Sequence, residues 1–219
     1  MKRIAIYDMD KTITRAPTWT RFLIHYARHH APHRLPLLPA AGALALGYPL
    51  RLIRRGALKQ ATHRLLIGAR TPTERLARAA TSFARRERLF PAALAQIAAD
   101  RAAGYAIVIA TASPRFYAEA IAAAVGADTV IATETAHDAA GRVLPRLAGD
   151  NCYGAAKLTR ITEWLASAGT ARDAVQVRFY SDHISDAPTL DWADEAFVVN
   201  PGPALARLAD ERGWTDLRW

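Results

Sequence analysis

From residue 104 to the C-terminus, apolar runs and helical runs alternate, and this alternation confines the chain to an α/β fold. Gly104-Tyr105 leads into the uncharged run Ala106–Ala110, followed by a helical stretch over 114–125 and a second strand-like run over 128–133. Residues 134–148 read as an irregular hairpin turning at Gly141, 154–168 as a helix, and Val175–Tyr180 as a strand ending in Ser181-Asp182. A short helix at 186–193, a strand at Ala196–Asn200, a helix and a last strand at 215–219 complete the pattern. Strands that are apolar throughout belong to a parallel sheet with helices on both faces. One more such strand, residues 3–7, lies far upstream, and about 75 residues of helical character separate it from the rest.

That helical stretch reads as an insertion. Trp19, Phe22, Leu23 and Tyr26 share one face of a helix over 19–30. Residues 35–50 carry no charge, but the run is shorter than the ~20 residues a bilayer span needs, and Pro36, Pro39 and Pro49 interrupt it. It reads as apolar helical pieces able to dip into an interface. Pro72 and Pro91 mark helix starts within 57–103. The expected division is a core of residues 1–13 and 90–219 with a helical cap over 14–89.

Charge is concentrated in the insertion. Between Lys11 and Thr73 there are eleven Lys and Arg residues and no Asp or Glu, whereas the chain as a whole is +9. Such a block points to an anionic partner, and Arg51, Arg54, Arg55 and Lys59 beside the apolar run form a candidate membrane face. The segment has few interleaved aromatics to stack on bases, so no nucleic acid is expected. Single Cys152 excludes an internal disulfide and a CxxC zinc site. His25, His29 and His33 are spaced by four, yet no acid or cysteine accompanies them and Pro32 interrupts the helix, so zinc is not expected. No secretory leader is evident in MKRIAIYDMD, and a cytoplasmic location, with peripheral contact at the inner membrane surface, is expected. Trp214 and Trp219 are expected to pack the C-terminal element onto the core.

Chemistry-bearing residues fall at strand ends, where open parallel sheets bind ligands. Asp8-Met9-Asp10-Lys11-Thr12 follows the first strand, Thr111-Ala112-Ser113 follows Ala106–Ala110, and Asp182 and Asp186 follow Val175–Tyr180. Lys157 stands in the first turns of a helix. Singly, each reads as a cap, turn or surface residue; as an ordered set they read as one site.

With these motifs the sequence resembles the haloacid dehalogenase-type phosphatases, closest to the phosphoserine-phosphatase-like branch (subfamily IB), over essentially the whole chain. The segment FLIHYARHHAPHRLPLLP resembles the cap of C-type phosphatidylglycerophosphatases. The resemblance implies a Rossmann-like parallel sheet core with an inserted helical cap, and a Mg²⁺-dependent phosphomonoesterase. Asp8 would be the nucleophile and Asp10 the general acid and base. Mg²⁺ would be held by Asp8, the Asp10 carbonyl and Asp182, oriented by Asp186. Thr111, Ala112 and Ser113, with Lys157, would bind the phosphoryl group; Thr111 is the first choice of hydroxyl and Ser113 the alternative. His183 would face the leaving group or the surface.

The resemblance departs at one telling position. Phosphoserine phosphatases carry a glutamate nine residues after the nucleophile, to pair with the substrate ammonium; here that residue is Pro17. The basic, apolar cap points instead to a lipid phosphomonoester, such as phosphatidylglycerol phosphate or lysophosphatidate, since basic residues contribute ~1 kcal/mol each near an anionic surface. A small soluble phosphomonoester is the alternative, and a phosphotransferase or a non-catalytic membrane- or nucleic-acid-binding module are further ones.

Overall fold

A computed structural model describes residues 1–219. Six parallel strands form one sheet: β1 (Lys2–Tyr7), β2 (Ala106–Pro114), β3 (Thr129–Thr133), β6 (Val175–Ser181), β7 (Glu195–Val199) and β8 (Thr215–Leu217), in the order β3-β2-β1-β6-β7-β8. Two short antiparallel strands, β4 (Thr135–His137) and β5 (Val143–Leu147), make the hairpin that follows β3. The expected α/β fold is therefore present. β2 runs four residues past the expected end at Ala110, because Thr111 to Pro114 continue in extended conformation beside β3.

Alternation along the central strands separates two cores. Ala5, Tyr7, Ile107 and Ile109 face one way, against α5 (Pro91–Ala102) and α6 (Arg115–Ala124). Ile4, Ile6, Val108, Val177 and Phe179 face the other, against α7 (Ala155–Ser167), α8 (Ala187–Trp192) and α9 (Pro203–Arg212). Burial on both faces is why the central stretches of these strands are mostly apolar. Trp219 packs against the first core and Trp214 against the second, as expected. Tyr7 stacks on Tyr180 at 4.2 Å and donates to Asp100, which Arg178 neutralises at 2.6 Å. This network ties α5 to the two strands that lead into the site.

The insertion contains α1 (Thr18–His30), a 3-10 turn over Pro32–Leu37, α2 (Leu38–Leu46), α3 (Arg55–Leu66) and α4 (Thr73–Ala84). Its two connections to the sheet run side by side: Arg15 donates to the Arg88 carbonyl and Phe90 to the Ile13 carbonyl, both at 2.9 Å. Most of 35–50 is not interior. Ala41 is its only buried residue, while Leu46, Leu50 and the neighbouring Leu52 stand 69%, 68% and 79% exposed. The β4–β5 hairpin reaches the insertion through paired backbone bonds between Thr71 and Val143.

Candidate active site

The chain passes from β1 to β2 and β3 on one side and returns on the other side of β1 as β6, so the sheet reverses direction next to β1. A crevice opens at such a point, beyond the carboxyl ends of the strands. There a cleft of about 460 Å³ is lined by Asp8, Asp10, Lys11, Thr111, Ala112, Ser113, Lys157, Asp182, His183 and Asp186 from the sheet side. Trp19, Tyr48, Arg55, Leu58 and Lys59 of the insertion face them. All the motif residues singled out in the sequence thus meet in one place.

The innermost group is a buried charge cluster. Lys157, 2% exposed, donates to Asp8 Oδ1 at 2.7 Å and to Asp186 Oδ2 at 2.5 Å. Ser181 also donates to Asp186 Oδ2, at 2.7 Å. Gly154, with φ +60, precedes α7, and a Cβ there would lie 3.5 Å from the Ser185 carbonyl. Glycine at this turn lets α7 start against the 183–186 loop, which sets Lys157 between the two acids. Burial raises the Asp8 carboxyl, Asp186 and Asp182 add to the rise, and Lys157 opposes it. Burial alone would lower the Lys157 ammonium, but Asp186 and Asp8 override it and hold it protonated. Asp182 is pushed up to about 6 by burial, with Lys11 opposing.

Asp10 has a different environment. Its Oδ1 accepts from the Thr18 amide (2.7 Å) and hydroxyl (2.6 Å), and its Oδ2 accepts from the Ser113 hydroxyl at 2.9 Å. Tyr117 in turn donates to Ser113 at 2.6 Å. Thr111 Oγ1 accepts the Ser113 amide at 3.1 Å, which leaves the Thr111 hydroxyl proton unspent. Between Asp10 and Thr12, Lys11 has φ +62, a strained turn for a side-chain-bearing residue. That turn directs the Thr12 hydroxyl to the Asp182 amide at 3.1 Å. Two carboxylates two residues apart are thereby given separate partners: Asp8 a lysine, Asp10 a ring of hydroxyl and amide donors.

Residues 5–191 match the model of the haloacid dehalogenase-like hydrolases. The chain belongs to this family. It is 33% identical over 95 residues to a histidinol-phosphatase of Neisseria meningitidis serogroup C, covering 43% of each protein. It is 30% identical over 112 residues to a phosphoserine phosphatase of Mycobacterium tuberculosis, covering 51% of this chain and 35% of that one. The chain spans less than half the length of these curated relatives. A crystal structure of a protein of unknown function from Bordetella pertussis Tohama I superposes with a TM-score of 0.87 at 28% identity, over 99% of this chain and 98% of that one.

In this haloacid dehalogenase-like hydrolase the donor set fits a divalent metal. Asp8 and Asp186 share the Lys157 ammonium, Asp182 stands near enough for its charge to act on Asp8, and the buried Asp186 Oδ1 has no hydrogen-bond partner. All the donors are hard oxygens, which suits Mg²⁺.

The candidate membrane face is corrected by the structure. Arg51 and Arg54 are exposed, but Arg55 is half-buried and Lys59 is buried, both lining the cleft. Residues 55 and 59 are one helical turn apart on α3 and share the face that packs inward. The structure also adds residues that sequence reasoning missed: Thr18, Thr12, Ser181 and Asn151. Thr12 and Ser181 stood inside the strand-end motifs without a role assigned to them, whereas Thr18 and Asn151 carried no signal, because a side chain that holds a partner across the fold leaves no local pattern.

Proposed function

We propose that the protein is a Mg²⁺-dependent phosphatase of small soluble phosphomonoesters, working through an aspartyl-phosphate on Asp8. The observation that carries this reading is the pairing of a lysine-held Asp8 with a separately held Asp10 in one cleft. Asp8 Oδ attacks phosphorus, forming the aspartyl O–P bond as the ester P–O bond breaks. Asp10 gives its proton to the departing alkoxide. Asp10 then takes a proton from water as that water attacks phosphorus, which frees phosphate and restores the Asp8 carboxylate. Lys157 and the unspent Thr111 hydroxyl receive phosphoryl oxygens, with the Ala112–Ser113 backbone closing the loop. Mg²⁺, when bound by Asp8, the Asp10 carbonyl and Asp182 with Asp186 behind them, offsets repulsion between nucleophile and phosphate. On this reading residues 1–13 and 90–219 are the catalytic core and 14–89 the cap. The histidinol-phosphatase and phosphoserine-phosphatase names of the two relatives favour a small substrate. Phosphate release from a panel of soluble esters, with and without Mg²⁺, tests it: Mg²⁺-dependent turnover is expected, and no release from any ester overturns it.

A lipid phosphomonoester, such as phosphatidylglycerol phosphate or lysophosphatidate, remains as a second reading on one observation. Exposed Leu46, Leu50 and Leu52 lie beside exposed Arg51 and Arg54. No comparison supports it, and no helix is long and apolar enough to cross a membrane. It requires peripheral binding to anionic vesicles that is lost when the three leucines become serine. A protein that stays in the supernatant with such vesicles removes this reading and leaves the soluble one intact.

A further inference from the structure

Arg55 and Lys59 are two cations without a counter-ion at the edge of the cleft. Lys59 is 8% exposed, and its ammonium donates to the Ala112 carbonyl and, at 2.6 Å, to Asn151 Oδ1. Both acceptors are neutral, and one of its three N–H donors is left over. Arg55 lies over the Tyr153 ring at 3.8 Å and donates to the Tyr48 hydroxyl at 3.1 Å, again without a carboxylate. Burial and the neighbouring Arg55 together lower Lys59 to about 8, with Asp10 only partly opposing them. A buried cation without an anionic partner is costly, and a cluster of them in a cleft marks a place for an anion.

The cleft's own acids do not fill that place. Asp8 and Asp186 are held by Lys157, and Asp10 by Thr18 and Ser113. The insertion contributes no carboxylate to the lining. Its two acids are elsewhere: Glu87 pairs with Arg21, and Glu74 is exposed at the start of α4. Pro17 lines the cleft and offers an ammonium nothing. Trp19, Tyr48 and Leu58 supply an apolar wall.

We propose that Arg55 and Lys59 form a subsite for a second anionic group of the substrate, so that the preferred phosphomonoester carries a carboxylate or a second phosphate and no ammonium. The inference rests on the phosphatase reading for the phosphoryl end and adds the chemistry of the other end. Arg55, over the Tyr153 ring and bonded through Nε to the Tyr48 hydroxyl, keeps its two terminal nitrogens for a planar or tetrahedral anion. Lys59 adds its remaining donor from the side of the Thr111–Ser113 loop.

The test compares short esters that differ chiefly in the charge of the far group: glycerol 3-phosphate (uncharged), phosphoethanolamine (ammonium), phosphoglycolate (carboxylate) and ethylene glycol bisphosphate (phosphate). The kcat/KM is expected to be about 10- to 100-fold higher for the better of the two anionic esters than for glycerol 3-phosphate, with phosphoethanolamine lowest. Which anionic ester leads tells carboxylate from phosphate. In Lys59→Met and in Arg55→Met the ratio of anionic to uncharged ester is expected to fall toward one. Arg55 is half-buried, so its variant tests the subsite even if Lys59→Met folds poorly. Equal rates on charged and uncharged esters overturn the inference, as does preference for phosphoethanolamine. So does a Lys59→Met effect of the same size on every ester, which would assign Lys59 to the phosphoryl group. If no ester is hydrolysed, the phosphatase reading fails by itself. The subsite is then judged by calorimetric binding of the same four compounds to Asp8→Asn: tighter binding of the anionic ones supports it and equal affinities overturn it.

Discussion

Replacing Asp8 by Asn is expected to lower phosphate release by at least about 10⁴-fold without loss of the fold. An amide cannot form the acyl phosphate, yet it keeps the shape and an oxygen to accept from Lys157, now at 2.7 Å from Oδ1. Removing one of three neighbouring carboxylates also relieves the repulsion that Asp186 and Asp182 exert on Asp8. The melting temperature should therefore equal or exceed that of the parent. Rate, melting temperature and covalent incorporation of labelled phosphate are the three readouts. Turnover within tenfold of the parent would remove Asp8 as nucleophile and, with it, the mechanism proposed above.

Lys157→Met is expected to act on both activity and stability. Its ammonium is the only cation in contact with Asp8 and Asp186, whose side chains are 11% and 2% exposed. Taking it away leaves buried charges without a partner, a change that costs about 3–5 kcal/mol. It also removes a donor poised for the transferring phosphoryl group, worth about 10²–10³-fold in kcat. The sign on Asp8 is unfavourable as well: Lys157 lowers its pKa, so the nucleophile becomes harder to ionise without it. Urea midpoints and kcat measure the two effects, and a second change separates them. Adding Asp186→Asn to Lys157→Met removes one of the stranded charges, so stability should partly return while activity does not. Lys157→Arg should fail to restore the rate, because a guanidinium fork does not fit between two acids spaced for a point charge in a fully buried site. A Lys157→Met protein as stable as the parent would show that the cluster is already neutralised by other means.

Much of the architecture could be read locally. The strands β1, β2 and β6 are mostly apolar because both of their faces are covered, and their polar endings mark where the sheet meets solvent. The convergence of Asp8, Thr111 and Asp182 followed from those endings, as the sheet delivers every strand's carboxyl end to the same edge, while Lys157 reaches it from the start of α7. Pro91 opening α5, and Pro72 standing just before α4, were legible for a similar reason: proline constrains its own turn wherever the rest of the chain lies. Less legible was the extended path of Thr111 to Pro114, which depends on β3 lying alongside.

The insertion shows the limit of local reading. Arg51, Arg54, Arg55 and Lys59 look alike in sequence, four basic residues beside an apolar run. Helical periodicity places 55 and 59 on one face of α3, but it does not say what that face meets. Contact with the Ala112 carbonyl, Asn151 and Tyr153 turned two of the four into a charged wall of the cleft and left the other two in water. Asp10 is a parallel case: its partners Thr18 and Ser113 stand 8 and 103 residues away, and only the docking of α1 against β2 brings them to one carboxylate. The sequence by itself determined the fold class, the positions of the strands and the edge at which the acids gather, because each depends on backbone periodicity and burial within a short segment. The tertiary structure alone decided which charges are paired, which are buried without a partner and which face solvent, because those depend on the meeting of segments distant in the chain, for which no local pattern exists.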